Sequence, residues 1–319
     1  MDARPKLDLV IVNWNAGALL RECLASVAVA LDGSFELDRV VVVDNASTDD
    51  SLEGLHELGL PLSVIKNDAN RGFGAACNQG ASGSRADYVL FLNPDTRLHP
   101  ESLSVPVGFL EREDNAEVAV CGVQLVDEEG RVARSCARFP RVGTFFWIAT
   151  GLDRLLPRRR LGYRMSEWDH RESRDVDHVM GAFYLIRRDV FERLEGFDED
   201  YFVYFEDVDL SRRVAALGLR SRFVAEATAY HLGGGTSRKV KARRLAYFLA
   251  GKLLYARKHH AGWRAVVAAA ATYFVEPLFR CAGALAARSP AGFAETVRAY
   301  GLLLRGGRAD LGTPGDGRA

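Results

Sequence analysis

Four apolar runs of strand length alternate with helical patterns, and that alternation restricts the fold more than any other feature. The runs are Leu7–Asn13, Arg39–Val43, Leu62–Lys66 and Asp87–Leu92. Between them, Ala16–Ala30 places Leu19, Leu20, Cys23, Leu24 and Val27 at helical spacing. Ser47 or Thr48 can cap a helix with Asp49 and Asp50 in its first turn and Leu52, Leu55 and Leu58 in its body. Ala75–Gly83 reads as a helix of small residues. Strands apolar on both faces and separated by helices predict an α/β fold with a parallel sheet covered on both sides.

In such sheets ligands sit beyond the carboxyl ends of the strands. Here those ends read Asn13-Trp14-Asn15, Asp44-Asn45-Ala46-Ser47, Asn67 to Asn70-Arg71-Gly72, and Asn93-Pro94-Asp95. Each alone is ordinary turn chemistry. Together they set amides for a base or ribose, an arginine for phosphate and a carboxylate for a metal along one edge. Two other nucleotide folds fit poorly. Gly72-Phe73-Gly74 has the first spacing of a dinucleotide fingerprint, but Cys77 stands where the third glycine belongs and the motif follows the third strand. The chain has no G-x-x-x-x-G-K-[ST] sequence, which excludes a P-loop.

Further on, Glu117–Val123 and Val176–Ile186 read as strands that complete the sheet, and Phe223–Tyr230 is strand-like. Before the last of these, Tyr201-Phe202-Val203-Tyr204-Phe205 runs straight into Glu206-Asp207-Val208-Asp209. Aromatic residues prefer burial and carboxylates prefer water, so this junction is costly unless the acids have a task. The plainer reading is a helix start, with Val208, Leu210, Val214 and Leu217 as the apolar stripe and Gly218 as the stop.

Lys+Arg and Asp+Glu both number 42, so no global field points to nucleic acid. The five cysteines are scattered and never form a C-x-x-C pair, which argues against a disulfide framework or zinc site and for a reducing compartment. Leu7–Val12 is too short for a signal peptide and has no cleavage site, so a cytoplasmic location is expected.

Taken in order, these motifs resemble family-two inverting glycosyltransferases of the GT-A type, with rhamnosyltransferase-like members nearest. The resemblance is carried by Val10–Asn15, Val42–Asp49, Asn70–Asn78 and Phe91–Thr96. It continues through Gly181-Ala182-Phe183, Gly196-Phe197-Asp198-Glu199, Phe205–Leu210 and Tyr230-His231. It implies a donor site in which Asp44 contacts the base, the Asn13–Asn15 loop closes over it, and Asn70, Arg71 and Gly72 hold the nucleoside and phosphate side. Asp95 matches the last aspartate of the D-x-D metal motif, whose first position is Asn93 here. His231 falls where some relatives place a further ligand for Mg²⁺ or Mn²⁺, although a lone histidine ending a strand is commonly structural. Asp207 matches the general base, with Tyr204, Phe205, Glu206 and Gly181 on the acceptor side. An aromatic wall there would raise the carboxylate's pKa by desolvation.

The expected reaction is metal-dependent inverting transfer of a sugar, rhamnose from its deoxythymidine diphosphate donor before a uridine diphosphate sugar such as galactofuranose. The acceptor would be a cell-surface glycan or a lipid-linked one. Two rivals are a non-catalytic sugar-nucleotide binder, which would not need Asp207, and a nucleotidyltransferase. The latter should show a glycine-rich basic loop after the first strand, and Asn13-Trp14-Asn15 is not one. The catalytic domain would span residues 1–237, followed by a helical extension over 238–305 and a disordered tail over 306–319. Arg138–Arg174, with Phe145-Phe146-Trp147 and Arg154, Arg158, Arg159, Arg160 and Arg164, is either a solvated basic loop or an acceptor-side insertion. Gly233–Ser237 is either a linker or a lid. In the extension, Glu276, Pro277 and Arg280 interrupt the apolar run Gly262–Ala287. That argues against a transmembrane helix and for a basic amphipathic end lying on a membrane, with helical packing or a homodimer as the rival.

Overall fold

The computed structural model describes residues 4–156, 162–233 and 240–305. Its main sheet is built from β1 (Lys6–Asn13), β2 (Glu36–Asp44), β3 (Leu62–Lys66), β4 (Tyr88–Leu92), β5 (Thr96–Leu98) and β6 (Val118–Val126). The short β7 (Val132–Ala133) and β8 (Cys136–Ala137) precede β9 (Arg174–Val176), β10 (His178–Val179), β11 (Phe183–Arg187) and β12 (Arg220–His231). The order along the sheet is β3-β2-β1-β4-β11-β6-β12-β5, and β8 and β10 pair separately. The first four strands are parallel, as expected, but β11 runs antiparallel to both β4 and β6, so the whole sheet is mixed.

Both faces are covered. In β1, Leu7, Leu9 and Ile11 enter one core cluster while Val10 and Val12 enter the other; Val40 and Val42 separate from Val41 and Val43 in the same way. That is the period-two side-chain alternation of a strand buried on both sides. One face is capped by α1 (Ala18–Val29) and α3 (Glu101–Glu111), the other by α2 (Phe73–Ala81), α6 (Arg188–Arg193) and α7 (Glu206–Ala216).

Three local expectations need correction. The segment after β2 is turns and a 3₁₀ helix at Leu55–Leu58, not an α-helix. Asn13 draws Ser47 and Ser51 into side-chain hydrogen bonds, and Gly54 and Gly59 both adopt left-handed backbone. Such local bonding competes with a helix. Second, β3 is an edge strand with Val64 39% exposed, so only its inner neighbours are buried on both faces. Third, the single strand expected over Val176–Ile186 is broken into β9, β10 and β11, and the break frees Gly181 for the site.

The C-terminal helices are α8 (Lys241–His259), α9 (Trp263–Ala270), α10 (Glu276–Ala286) and α11 (Pro290–Arg305), with a π turn at Ala271–Val275 joining α9 to α10. They pack with α4 (Val142–Thr150) against the aromatic segment. Phe145, Tyr201, Phe205, Val208, Tyr255, Ala256 and Ala268 form one cluster. The Phe202 ring stacks on Tyr247 at 4.8 Å. Gly251 of α8 lies on the Tyr204 carbonyl so closely that a Cβ would sit 2.5 Å from that oxygen. The short α5 (Leu152–Leu155) follows α4. Arg158–Arg160, most of the Gly233–Ser237 stretch, the expected boundary at 237/238 and the expected tail all lie outside the described residues.

Candidate active site

The carboxyl ends of β1 and β2 lock together through one amide. Asn13 Nδ2 donates to Asp44 Oδ1 at 2.7 Å, to Ser47 Oγ at 3.0 Å and to Ser51 Oγ at 2.8 Å. Asn13 and Asp44 are buried, while Asn15 holds the next turn: its Oδ1 accepts from the Thr48 N–H at 2.8 Å. Asn15 and Ala46 both adopt left-handed backbone, at φ 51° and 61°. Asn45 carries the network onward, donating to the Gly72 carbonyl at 3.0 Å and accepting from Asn67 at 2.9 Å. Asn70 Oδ1 accepts from the Gly72 N–H, and Arg71 stands exposed beside it. All the donor-side residues anticipated from the sequence therefore meet at this edge, with Asn13 and Asp44 forming its floor.

Gly72 ties that edge to the acidic segment. Its φ is 89°, and a Cβ would lie 2.4 Å from the Phe202 carbonyl oxygen, so no other residue fits. The same oxygen accepts from the Phe73 N–H at 2.7 Å. Tyr204 and Phe205 then take left-handed conformations in succession, at φ 71° and 73°. For non-glycine residues this costs on the order of 1–3 kcal/mol each. The strain is held by the contact with Gly251 and by the Phe205 ring, which packs against Tyr163, Phe248 and Tyr255. Phe205 is thus a core side chain, 3% exposed, and does not form an open acceptor wall. Tyr204 packs its ring against Phe248 and remains half-buried.

The three acids beyond this kink have separate surroundings. Glu206 is buried, one of its oxygens has no partner, and a Cβ on Gly74 would touch its own Cβ, so it lies behind the site wall. Burial and then the Asp207 charge push its pKa well above the usual carboxylate range. Asp209 is also buried but fully paired. It receives Arg213 Nε at 2.8 Å and lies 2.7 Å from His259 Nε2, tying α7 to the end of α8. Burial opposes its charge, and the bonds from His259 and Arg213 hold its pKa below the ordinary value.

Asp207 differs from both. Its Oδ2 accepts from the Gly181 N–H at 2.9 Å, and Oδ1 from the Val208 N–H at 2.8 Å. His178 Nε2 approaches Oδ2 to 3.2 Å, at ion-pair distance but out of hydrogen-bond alignment. Burial works against the charge, yet His178 and the two backbone donors overcome it and hold the pKa below that of an ordinary aspartate. The expectation of a desolvated, raised pKa is therefore wrong for Asp207. Burial raises its neighbour Glu206 instead. Sequence reasoning missed His178: a single histidine in an interrupted strand has no pattern to mark it, and only its place three residues before Gly181 could have drawn notice.

The metal-loop residues lie next to this acid. Gly181 donates to Asp207, while the carbonyl of the following residue, Ala182, accepts from the Asn93 N–H at 3.0 Å and from Thr96 Oγ1 at 3.5 Å. Pairing of Thr96 with His231 across β5 and β12 then sets Asp95 Oδ1 3.3 Å from His231 Nε2, with Asn93 Nδ2 3.5 Å from the same nitrogen. Among the described residues there is no cluster of three or more potential metal ligands. One carboxylate oxygen and one imidazole nitrogen at this separation nevertheless suit adjacent positions around a hard divalent cation, whose octahedral bonds of about 2.1 Å put neighbouring ligands about 3 Å apart.

Comparisons with known proteins place the chain in a family. The model of glycosyl transferase family 2 matches residues 8–195. That match covers more than half of the chain, and the protein belongs to this family of sugar-transferring enzymes. An N-acetylglucosaminyl-diphospho-decaprenol L-rhamnosyltransferase of Mycobacterium tuberculosis is 28% identical over 274 residues, 81% of this chain and 86% of the relative. Rhamnosyltransferase WbbL of Escherichia coli K12 is 28% identical over 54% of this chain and 62% of its own. Among solved structures, mannosyltransferase PcManGT of Pyrobaculum calidifontis, in complex with GDP-Man and Mn²⁺, superposes with a TM-score of 0.57 at 18% identity, covering 94% of this chain and 87% of that one. GalNAc-T7 with UDP, GalNAc and Mn²⁺ gives 0.54 at 15% identity, covering 90% and 59%. The fold is thus of the GT-A type, a sheet flanked by helices with a helical C-terminal region.

Proposed function

We propose that the protein transfers a sugar, L-rhamnose from a deoxythymidine diphosphate donor, with inversion, to a hydroxyl of a glycan or lipid-linked acceptor. One observation supports this reading above the rest: consecutive peptide units, Gly181 and Ala182, hold the ionised Asp207 and the Asn93–Thr96 loop side by side. A nucleotide-sugar binder would have no use for a carboxylate kept charged by two backbone donors beside the metal loop. The relatives named as rhamnosyltransferases support the choice of sugar and of a diphospholipid-linked acceptor.

In this reading the Asn13–Asp44–Asn45 network and Gly72 form the seat for the nucleoside, and Arg71 faces the diphosphate. Asp95 and His231 would hold Mg²⁺ or Mn²⁺, which neutralises the charge that develops on the departing diphosphate. Asp207 accepts the proton of the acceptor hydroxyl as its oxygen bonds to the anomeric carbon. The bond from that carbon to the diphosphate breaks on the opposite face and takes its electron pair with it. A carboxylate this acidic is a weak base toward a free alcohol, so the proton moves late, once bonding to carbon has made the hydroxyl acidic. His178 positions Asp207 and keeps it charged.

A panel of deoxythymidine, uridine and guanosine diphosphate sugars, assayed by nucleoside diphosphate release with and without Mn²⁺, tests the assignment. Release from the rhamnose donor, dependent on metal and acceptor, is expected. Turnover of a uridine diphosphate donor in preference to it would overturn the choice of sugar. Binding without any release would overturn the enzyme reading.

A further inference from the structure

The C-terminal helices carry an apolar face that the described residues leave uncovered. Trp263–Ala286 runs as one helix through the π turn. Along one side of it Trp263, Val266, Val267, Phe274, Leu278 and Leu285 follow helical spacing and are 41–73% exposed. Val297 and Leu304 of α11 are likewise exposed, at 54% and 72%. Single exposed apolar residues are unremarkable, but a contiguous stripe of this length marks an interaction surface.

The charges that interrupt this stretch in the sequence are turned inward. Glu276 is fully buried and ion-paired with Lys252 of α8, itself fully buried, and Arg280 Nε donates to the other Glu276 oxygen at 2.8 Å. The second acid of the region, Glu295, lies 3.8 Å from Lys241. The exposed charges left over residues 261–305 are Arg264, Arg288, Arg298 and Arg305, all positive.

We propose that this face docks on an anionic lipid bilayer, the helix lying flat with its apolar side in the headgroup–acyl boundary and its arginines available to lipid phosphates. A helix of 24 residues is about 36 Å long and could span a bilayer. Spanning would pull it from α8 and expose the Lys252–Glu276 pair to lipid, whereas lying on the surface leaves that pair intact. A second copy of the chain would set arginines against arginines, which disfavours a symmetric dimer through this face. The proposal involves neither sugar nor metal.

The test uses the full chain, without donor or acceptor, in sedimentation with phosphatidylglycerol-containing vesicles and with phosphatidylcholine vesicles alone. Wild type should bind the anionic vesicles about tenfold or more tightly than the neutral ones, and Phe274→Glu/Leu278→Glu should lose about tenfold or more of that binding. Thermal unfolding and donor binding of the double variant report whether it is folded. Brominated lipids should quench tryptophan fluorescence of the wild type, and most of that quenching should vanish in Trp263→Phe. Equal vesicle binding by the double variant, or no quenching assigned to Trp263, would overturn the proposal. So would a wild-type dimer that the double variant converts to monomer without any effect on vesicles. Because no turnover is read, these results leave the transfer assignment to be judged on its own.

Discussion

Two aspartate–histidine pairs of nearly equal length stand at the same edge of the sheet: Asp207 with His178 at 3.2 Å and Asp95 with His231 at 3.3 Å. Their chemistry is set by what else each carboxylate meets. Asp207 lies in the first turn of a helix, receives two backbone N–H groups and is held ionised with its pKa below the ordinary value. Asp95 sits between β4 and β5, where strand pairing brings an imidazole and the Asn93 amide to it. The first arrangement fits one carboxylate to keep its charge and take a proton; the second offers two different donor atoms to a cation. Distance alone would not separate the two pairs.

Substitutions can break this contrast. Asp207→Asn keeps the shape and removes the base, so kcat should fall about 10²–10⁴-fold, with donor affinity changed by no more than about twofold. Asp95→Ala should instead weaken Mn²⁺-dependent donor binding about tenfold or more, measured by calorimetry with and without chelator. Activity that persists in chelator would remove the metal assignment. His178→Gln should have a smaller effect on kcat, about tenfold, and a distinctive one on pH. Losing the histidine raises the pKa of Asp207, so the acid limb of the kcat profile moves to higher pH while KM for the donor stays near wild type. An unmoved limb would make His178 merely structural.

The smallest effect concerns stability. Glu206 has a raised folded-state pKa, so the folded form is favoured below the unfolded value and loses that advantage as pH rises through the folded one. Glu206→Gln should therefore melt higher than wild type at pH 8, with the difference closing toward pH 4. A variant less stable than wild type at pH 8 would show that the Glu206 carboxyl makes a favourable contact.

Much of this was legible in the sequence, for identifiable reasons. The parallel strands were visible because β1, β2 and β4 are buried on both faces, and their polar ends followed from the same runs. Asp207 stood out through the aromatic-to-acid junction, and Asp95 and His231 through motif order. The division among Glu206, Asp207 and Asp209 was not legible. It depends on the two left-handed residues before the helix and on His259, which lies 50 residues from Asp209. That Glu276 and Arg280 pair inward was not legible, because Lys252, the other partner of Glu276, is two helices away. The Ser47–Leu58 helix failed because the donor-edge network claims its serines.

The most direct test of the split between the two pairs is to measure Mn²⁺-dependent donor affinity and single-turnover rate together on Asp207→Asn and Asp95→Asn. Asp207→Asn is expected to bind donor and metal like the wild type and to transfer almost nothing, whereas Asp95→Asn is expected to lose the metal-dependent part of binding. Loss of donor binding in Asp207→Asn equal to that in Asp95→Asn would contradict the separation of roles.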